Sequence, residues 1–396
     1  MTEVIKFGAV GDGIADDTMA VQNALNSGEN EVHFPEGDYR ITKTLYISSG
    51  THITAERKAR IFMCGNVPRK KGDFLLSNKN TESGDRDISI KGGIWDGNNM
   101  GKEITKPDIF DKNGYSGAVI NLINIENLLL EDMVLANSVT YNIRMAKINN
   151  FTVKNIGFYS RDPAFNQDGL HIGGGVRNGV IENIKSLSKG QTNDDMIALN
   201  ADDSLERVEN LGLVCGAIEN LTIRNVYAED CYTFIRMLSI DSPIRNISIE
   251  KVEGGCRHYA INMDGARGCK TPLFKEDDRP LGVGAIENIE IDGMNVYYTS
   301  VTDEKAMIDA ECHVKNFVIK NFFRDMEKDS NPKVPTLLFT NVPNSRLEFS
   351  GTSKMHWFAD TEKADKNGNT ALFTTNKKED KIEIYKTFDN VIMTEK

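Results

Sequence analysis

The sequence predicts an all-β fold: a right-handed parallel β-helix, wound as one solenoid behind a short N-terminal capping helix. Three observations carry this. An apolar-x-(Asn/Asp)-apolar motif recurs as Leu130-Glu131-Asp132-Met133, Val153-Lys154-Asn155-Ile156, Ile181-Glu182-Asn183-Ile184 and Ile223-Arg224-Asn225-Val226. It returns in weaker form at Ile249-Glu250-Lys251-Val252, Ile291-Asp292-Gly293-Met294 and Ile319-Lys320-Asn321-Phe322, with steps of 23, 28, 42, 26, 42 and 28 residues. Each copy is followed by a short strand-like run with apolar ends and a mostly polar centre: Ile143-Arg144-Met145, Leu170-His171-Ile172, Ile197-Ala198-Leu199, Ile235-Arg236-Met237, Ile261-Asn262-Met263 and Ile308-Asp309-Ala310. Almost no helical pattern follows residue 30. Period-two alternation marks half-buried strands, and a fixed repeat fixes the architecture before local propensity does.

The elements follow in chain order. Phe7-Gly8-Ala9-Val10-Gly11-Asp12-Gly13 makes a Gly-rich turn, and Asp16 and Asp17 stand as N-caps for a helix over Met19–Leu25. Capping accounts for this carboxylate pair without metal or catalysis. Phe34-Pro35-Glu36-Gly37 turns the chain into the first strands. One domain is expected, with an N-terminal cap over about 1–45, rungs over 46–340 and a C-terminal cap over 341–396. A solenoid's open end has to be covered, which gives the polar tail its part. Asn155, Asn183 and Asn225 should stack as an amide ladder at one corner. The longer steps carry loops at about 96–117, 200–217 and 264–285. Within the second, Asn200-Ala201-Asp202-Asp203-Ser204-Leu205-Glu206 is dense in oxygen ligands, either a calcium loop or a solvated rim.

Composition narrows the function classes. The 396 residues carry a net charge of −11, which argues against nucleic acid or an anionic membrane as partner. Six scattered cysteines without a CxxC pair suit reduced thiols better than a disulfide framework or a zinc site. No signal peptide is visible at Met1-Thr2-Glu3-Val4-Ile5-Lys6, so the expected location is cytoplasmic, or secreted or periplasmic if a leader has been removed. No apolar run approaches the ~20 residues of a membrane span.

Stacked rungs lie about 4.8 Å apart, so equivalent positions form columns. Laid out this way, Asn166-Gln167-Asp168-Gly169 falls beside Asn193-Asp194-Asp195-Met196. One column reads Tyr141, Asp168, Asp195, Thr233, Tyr259; the position before it reads Thr140, Gln167, Asp194, Tyr232, His258. The strand centres read Arg144, His171, Ala198, Arg236, Asn262. Asp168 and Asp195 become direct neighbours, a pair able to hold a water. Asp194 is offset, with room for the scissile bond between. Hydrolysis with inversion needs an acid opposite a base-held water, at about 6.5–9.5 Å between carboxyls. Arg144 and Arg236 flank the cluster and are placed to keep the bases ionised or grip an acidic sugar. Any single Asp here is explained as a turn former. Three carboxylates, two arginines and a histidine on one face are not.

These residues resemble the polygalacturonase-type (family 28) glycoside hydrolases and the wider pectate-lyase-like superfamily. The resemblance rests on Phe7 to Thr18 with Phe34-Pro35-Glu36-Gly37, on Asn166-Gln167-Asp168 against the family's Asn-Thr-Asp, and on Asp194-Asp195 against its Asp-Asp. It implies Asp194 as general acid, Asp168 and Asp195 as water-positioning carboxylates, and no metal or organic cofactor. Asn166, Arg144, His171, Arg236 and His258 complete the expected site as sugar-binding residues. The Gly-His-Gly motif is absent, and Arg-Ile-Lys survives only as Arg236-Met237-Leu238. That weakens the case for plain polygalacturonan and leaves His171 as a substitute for part of the lost function. The expected activity is inverting hydrolysis of a poly- or oligosaccharide. The alternatives are a polysaccharide lyase, or a non-catalytic carbohydrate-binding β-helix of tailspike type. The second expects an aromatic stripe, whereas the chain has two tryptophans, Trp95 and Trp357.

Overall fold

The computed structural model describes residues 1–64, 72–99, 117–202, 215–265, 283–302 and 306–339, and the backbone of strands Ser345–Ser350, Ala371–Phe373 and Ile382–Lys386. Its described strands all pair in parallel, each with its counterpart one turn on. Ile120–Glu131 pairs with Ile143–Tyr159, which pairs with Val176–Ser186; Ile218–Leu238, Ile244–Asp264, Ile286–Tyr298 and Val314–Arg324 follow. The mostly β coil of stacked turns expected from the repeats is present.

The register reproduces the expected columns. Ile143 pairs with Leu170, Leu170 with Ile197, Ile197 with Ile235, and Ile235 with Ile261. These apolar ends point inward and are fully buried in one contiguous core that runs from Val4 to Phe339. Each buried aliphatic side chain contributes about 1.5–3 kcal/mol. Repetition is what makes so thin a coil stable.

Corners are set by asparagine, and there are two ladders rather than one. Asn155, Asn183 and Asn225 each adopt φ 56°, the left-handed region that Asn tolerates. Their amides stack: Asn155 donates to Asp132 (2.7 Å), Asn183 to Asn155 (2.8 Å) and Asn225 to Asn183 (3.0 Å). Lys251 and Gly293 take the next turns of this corner. Five residues upstream a longer ladder runs through Asn178, Asn220, Asn246, Asn288 and Asn316, each donating to the one before at 2.9–3.0 Å. The Asn-x4-Asn spacing of Asn150/Asn155, Asn178/Asn183, Asn220/Asn225 and Asn316/Asn321 is its trace in the sequence.

At the N-terminal end the helix Thr18–Leu25 buries Val21, Ala24 and Leu25 in the same core. Its capping differs from expectation. Asp17 occupies the N-cap position but makes no cap bond; its carboxylate turns back to the amides of Val10 and Gly11 at 2.6 and 3.2 Å. Asp16, one residue earlier, accepts from the Thr18 amide at 3.1 Å and from the Thr18 and Thr42 hydroxyls.

The parallel pairing continues past residue 343, where the repeat fades from the sequence. Phe317 pairs with Leu347, Leu337 with Ala371, and Ser345 with Ile382. Most of the three expected loops (100–116, 203–214 and 266–282) lies outside the described residues. Of the oxygen-rich stretch, Asp202 is described, and its Oδ2 accepts from the amides of Ile240, Asp241 and Ser242, each at 2.7 Å. Among the described residues Cys64, Cys215, Cys231, Cys256 and Cys312 form no disulfide, and no helix is long and apolar enough to cross a membrane.

Candidate active site

Two stacked loops deliver the carboxylates. The first, 160–169, leaves the strand Ile143–Tyr159 and is pinned from below. The Arg161 amide donates to Asn137 (2.9 Å), and fully buried Gln167 donates to the Ser138 carbonyl while accepting from the Ala164 amide (2.8 Å). Asn142 grips the Asp168 carbonyl with both its backbone and side-chain N–H, at 2.9 and 2.8 Å. Gly169 then has to be glycine. A Cβ there would sit 2.4 Å from the Met196 carbonyl and 2.5 Å from the Phe158 ring. That close approach brings Asp168 directly under Asp195, whose carbonyl accepts from the Gly169 amide at 2.9 Å. The second loop, 187–194, leads straight into the strand Asp195–Asn200.

One oxygen from each of Asp168, Asp194 and Asp195 lies within 4.8 Å of the others. This corrects the sequence expectation, which set Asp194 apart at a spacing of about 6.5–9.5 Å. The column argument fixed the rung of Asp194 but not how far its side chain folds back toward the pair. Burial pushes the Asp194 carboxyl up to about 7; the charge of Asp168 adds to this, while Arg236 and His171 oppose it. Burial, then the charge of Asp194, holds Asp195 well above the usual carboxylate range. The cluster therefore retains protons near neutrality that isolated aspartates have lost. The same three oxygens are close enough to share a divalent cation.

The remaining expected residues divide. Arg236 belongs to the cluster: its Nη1 stands 4.0 Å from Asp195 Oδ2 and its Nη2 3.0 Å from Asp264 Oδ2. His171 also belongs, but as a support. Its Nδ1 lies 2.6 Å from Asp168 Oδ2, its ring stacks on Tyr141 at 3.8 Å, and it is 2% exposed, so it is not an open sugar-binding group. Arg144 is corrected outright. It is fully buried, bonds Asn121 through Nε at 2.9 Å and lies 5.2 Å over the Phe74 ring, so it supports the floor rather than gripping a sugar. Asn166, at φ 59°, makes the turn into Asp168 and is half-buried. His258, half-buried, stacks at 3.9 Å on Tyr232, in line with Asp194 along the coil.

Sequence reasoning missed two groups. Asp264 is the nearest counter-ion of Arg236, and it sits two residues past Asn262, on the same strand face. Period two from the strand-centre column would have found it. Arg257 reaches the Asp194 loop from two rungs away; a side chain that long leaves no columnar trace. A cleft of about 700 Å³, lined by Lys91, Asp132, Asn155, Asn183, Lys185 and Leu187, follows the Asn corner and contains none of the three carboxylates.

Coil and cluster together define a protein of the pectate-lyase-like class. The family model described as rhamnogalacturonase A/epimerase, pectate lyase-like, matches residues 1–257, and the chain belongs to that family. It is similar to the plasmin and fibronectin-binding protein A of Streptococcus pneumoniae, 30% identical over 169 residues; the match covers 38% of this chain and 23% of that protein. A "Probable polygalacturonase" of Arabidopsis thaliana is 22% identical over 253 residues, 58% of this chain and 51% of its own length. The chain thus spans about half or less of these relatives. Among solved structures, an exopolygalacturonase from Thermotoga maritima superposes with a TM-score of 0.57 at 14% identity, covering 99% of this chain and 91% of that one. A mannuronan C-5 epimerase A-module from Azotobacter vinelandii gives 0.55 at 12% identity, covering 100% and 98%. At such identities the likeness is one of fold.

Proposed function

We propose that this chain hydrolyses a glycosidic bond in a poly- or oligosaccharide, possessing for that purpose the acid Asp194 and the water-holding pair Asp168 and Asp195. One observation carries the reading: three buried or half-buried carboxyls converge within 4.8 Å, with Asp194 held near 7, so a proton is available for donation at neutral pH. In the step proposed, Asp194 gives its proton to the leaving oxygen as the C–O bond breaks. A water held by Asp168 and Asp195 attacks the anomeric carbon and passes its proton to that pair. His171 fixes the orientation of Asp168, and Arg236, beside Asp195, favours the ionised carboxylate that a proton-accepting role requires.

The family resemblance favours inversion; direct attack of one of these carboxylates on the sugar would instead give retention. The anomer of the first product decides between them. The missing lysine after Arg236 speaks against plain polygalacturonan and leaves a uronate-containing or neutral saccharide as the substrate class. The reading includes a right-handed coil whose N-terminal end is covered by the helix Thr18–Leu25.

The similarity to a streptococcal plasmin- and fibronectin-binding protein favours a second reading, a non-catalytic binding β-helix. A digestion panel of pectic and other acidic and neutral glycans, run with the parent chain and Asp194→Asn, separates the two. Reducing ends released by the parent alone support hydrolysis through Asp194. Equal release by both proteins rejects Asp194 as the acid, and unsaturated products absorbing in the near ultraviolet point to a lyase. Binding without any cleavage selects the second reading.

A further inference from the structure

Between the end of the strand Val176–Ser186 and the start of Asp195–Asn200, the chain makes no rung pairing, yet this segment determines where Asp194 stands. Leu187 and Ser188 are tied to Phe158 and Ser160 of the rung before, while residues 190, 192 and 193 all meet one side chain. Arg257, two rungs further along the coil, places Nη2 2.6 Å from Asn193 Oδ1 and 3.3 Å from the carbonyls of both Gly190 and Thr192. Its Nη1 donates to the Asp230 carbonyl at 2.9 Å and stands 3.4 Å from Asp230 Oδ2. Asp230 is itself held by the Thr299 hydroxyl at 2.5 Å, one rung beyond Arg257. The Tyr232 amide donates to the Thr192 carbonyl at 2.9 Å, completing the seam.

We infer that Arg257 is a positioning residue for Asp194, its guanidinium clamping residues 190–193 against the Asp230 turn and so setting how deeply Asp194 enters the carboxylate cluster. The inference rests on the reading of Asp194 as the acid. A guanidinium suits the task because its planar fork serves several acceptors at once, whereas an ammonium offers a single point charge. Arg257 touches none of the three carboxylates in this arrangement. It acts through the peptide groups that precede one of them.

With Arg257 removed, the 190–193 segment swings outward and Asp194 gains water. The carboxyl is surrounded by Asp168, Asp195, His171 and Arg236, and burial is the largest of the influences on it, so its titration midpoint falls when the loop opens. The test uses the full chain with carboxyl-13C aspartate, the Asp194 resonance being assigned by its absence in Asp194→Asn. In the parent its midpoint, shared with the coupled carboxyls, is expected near 7. In Arg257→Ala the midpoint is expected to drop by more than one pH unit, and millimolar guanidinium chloride, matched against sodium chloride, to restore part of the shift. Asn193→Ala, which removes only the shortest contact, moves it in the same direction by less. It also serves if Arg257→Ala loses its cooperative thermal transition.

On whichever glycan of the panel the parent cleaves, kcat falls about 100-fold in Arg257→Ala with KM changed little, the cost of a ~1 Å misplacement. An unchanged Asp194 midpoint in folded Arg257→Ala and Asn193→Ala overturns the clamp. Full turnover by Asp194→Asn overturns the acid assignment instead, so the two failures are distinguishable.

Discussion

His171 Nδ1 lies 2.6 Å from Asp168 Oδ2, and both side chains are almost wholly buried. The pair joins a strand-centre position to the loop position three residues earlier, so the strand dictates the angle of the loop carboxylate. Tyr141 closes the imidazole from its other face at 3.8 Å.

Removing the imidazole therefore has an energetic signature. His171→Ala deprives a buried carboxyl of a short partner, at a cost of about 1–3 kcal/mol. A double-mutant cycle with Asp168→Asn is expected to give a coupling of about 0.5–3 kcal/mol in urea unfolding. Additive losses would show that the contact carries no energy of its own.

The Asp194 carboxyl makes both stability and rate depend on pH. Burial raises it from an ordinary 3.8 to about 7. Between those values the folded chain keeps a proton that the unfolded chain has released, so stability falls as pH rises through the window and levels off above it. Asp194→Asn flattens this dependence. Turnover through a protonated acid declines above about 7 in the parent. Unfolding midpoints and initial rates measured from pH 4 to 9 test both; because the carboxyls titrate together, the observed midpoints belong to the cluster.

The asparagine corners separate two contributions to the coil. Asn183 holds φ 56° and bonds both Asn155 and Asn225. Asn183→Gly keeps the left-handed turn and loses the amide bonds, about 0.5–1.5 kcal/mol each. Asn183→Ala loses the bonds and adds about 1–2 kcal/mol of left-handed strain. Chemical unfolding should place Ala below Gly; equal midpoints would show that the amide stack alone matters.

Much of this was legible in the sequence, because a solenoid turns distance along the chain into adjacency. The columns through Asp168 and Asp195, and through His171, Ala198 and Arg236, follow from counting residues. The second Asn ladder is equally legible in its five-residue spacing from the first. What counting does not supply is the direction and reach of a side chain. Arg144 shares a column with Arg236, yet one is fully buried against Asn121 and Phe74 while the other reaches Asp195 and Asp264. Asp194 sits in the expected rung but nearer its neighbours than expected, because the loop before it is drawn in by Arg257. Loop conformation has no period, so neither contact was available from the repeat.

The candidate site draws on four consecutive turns: Asp168 from one, Asp194 and Asp195 from the next, Arg236 from the third, and Arg257 with Asp264 from the fourth. In an object built by stacking, stability is local, each turn answering mainly to its two neighbours. The ends can therefore loosen while the middle keeps its shape, and a cluster housed in the middle is sheltered from that fraying. The same construction makes the cluster divisible. Excising residues 169–195 removes one whole period and joins Asp168 to Met196, leaving every inward-facing residue inward. Such a shortened chain could still wind, but with one carboxylate where three had met.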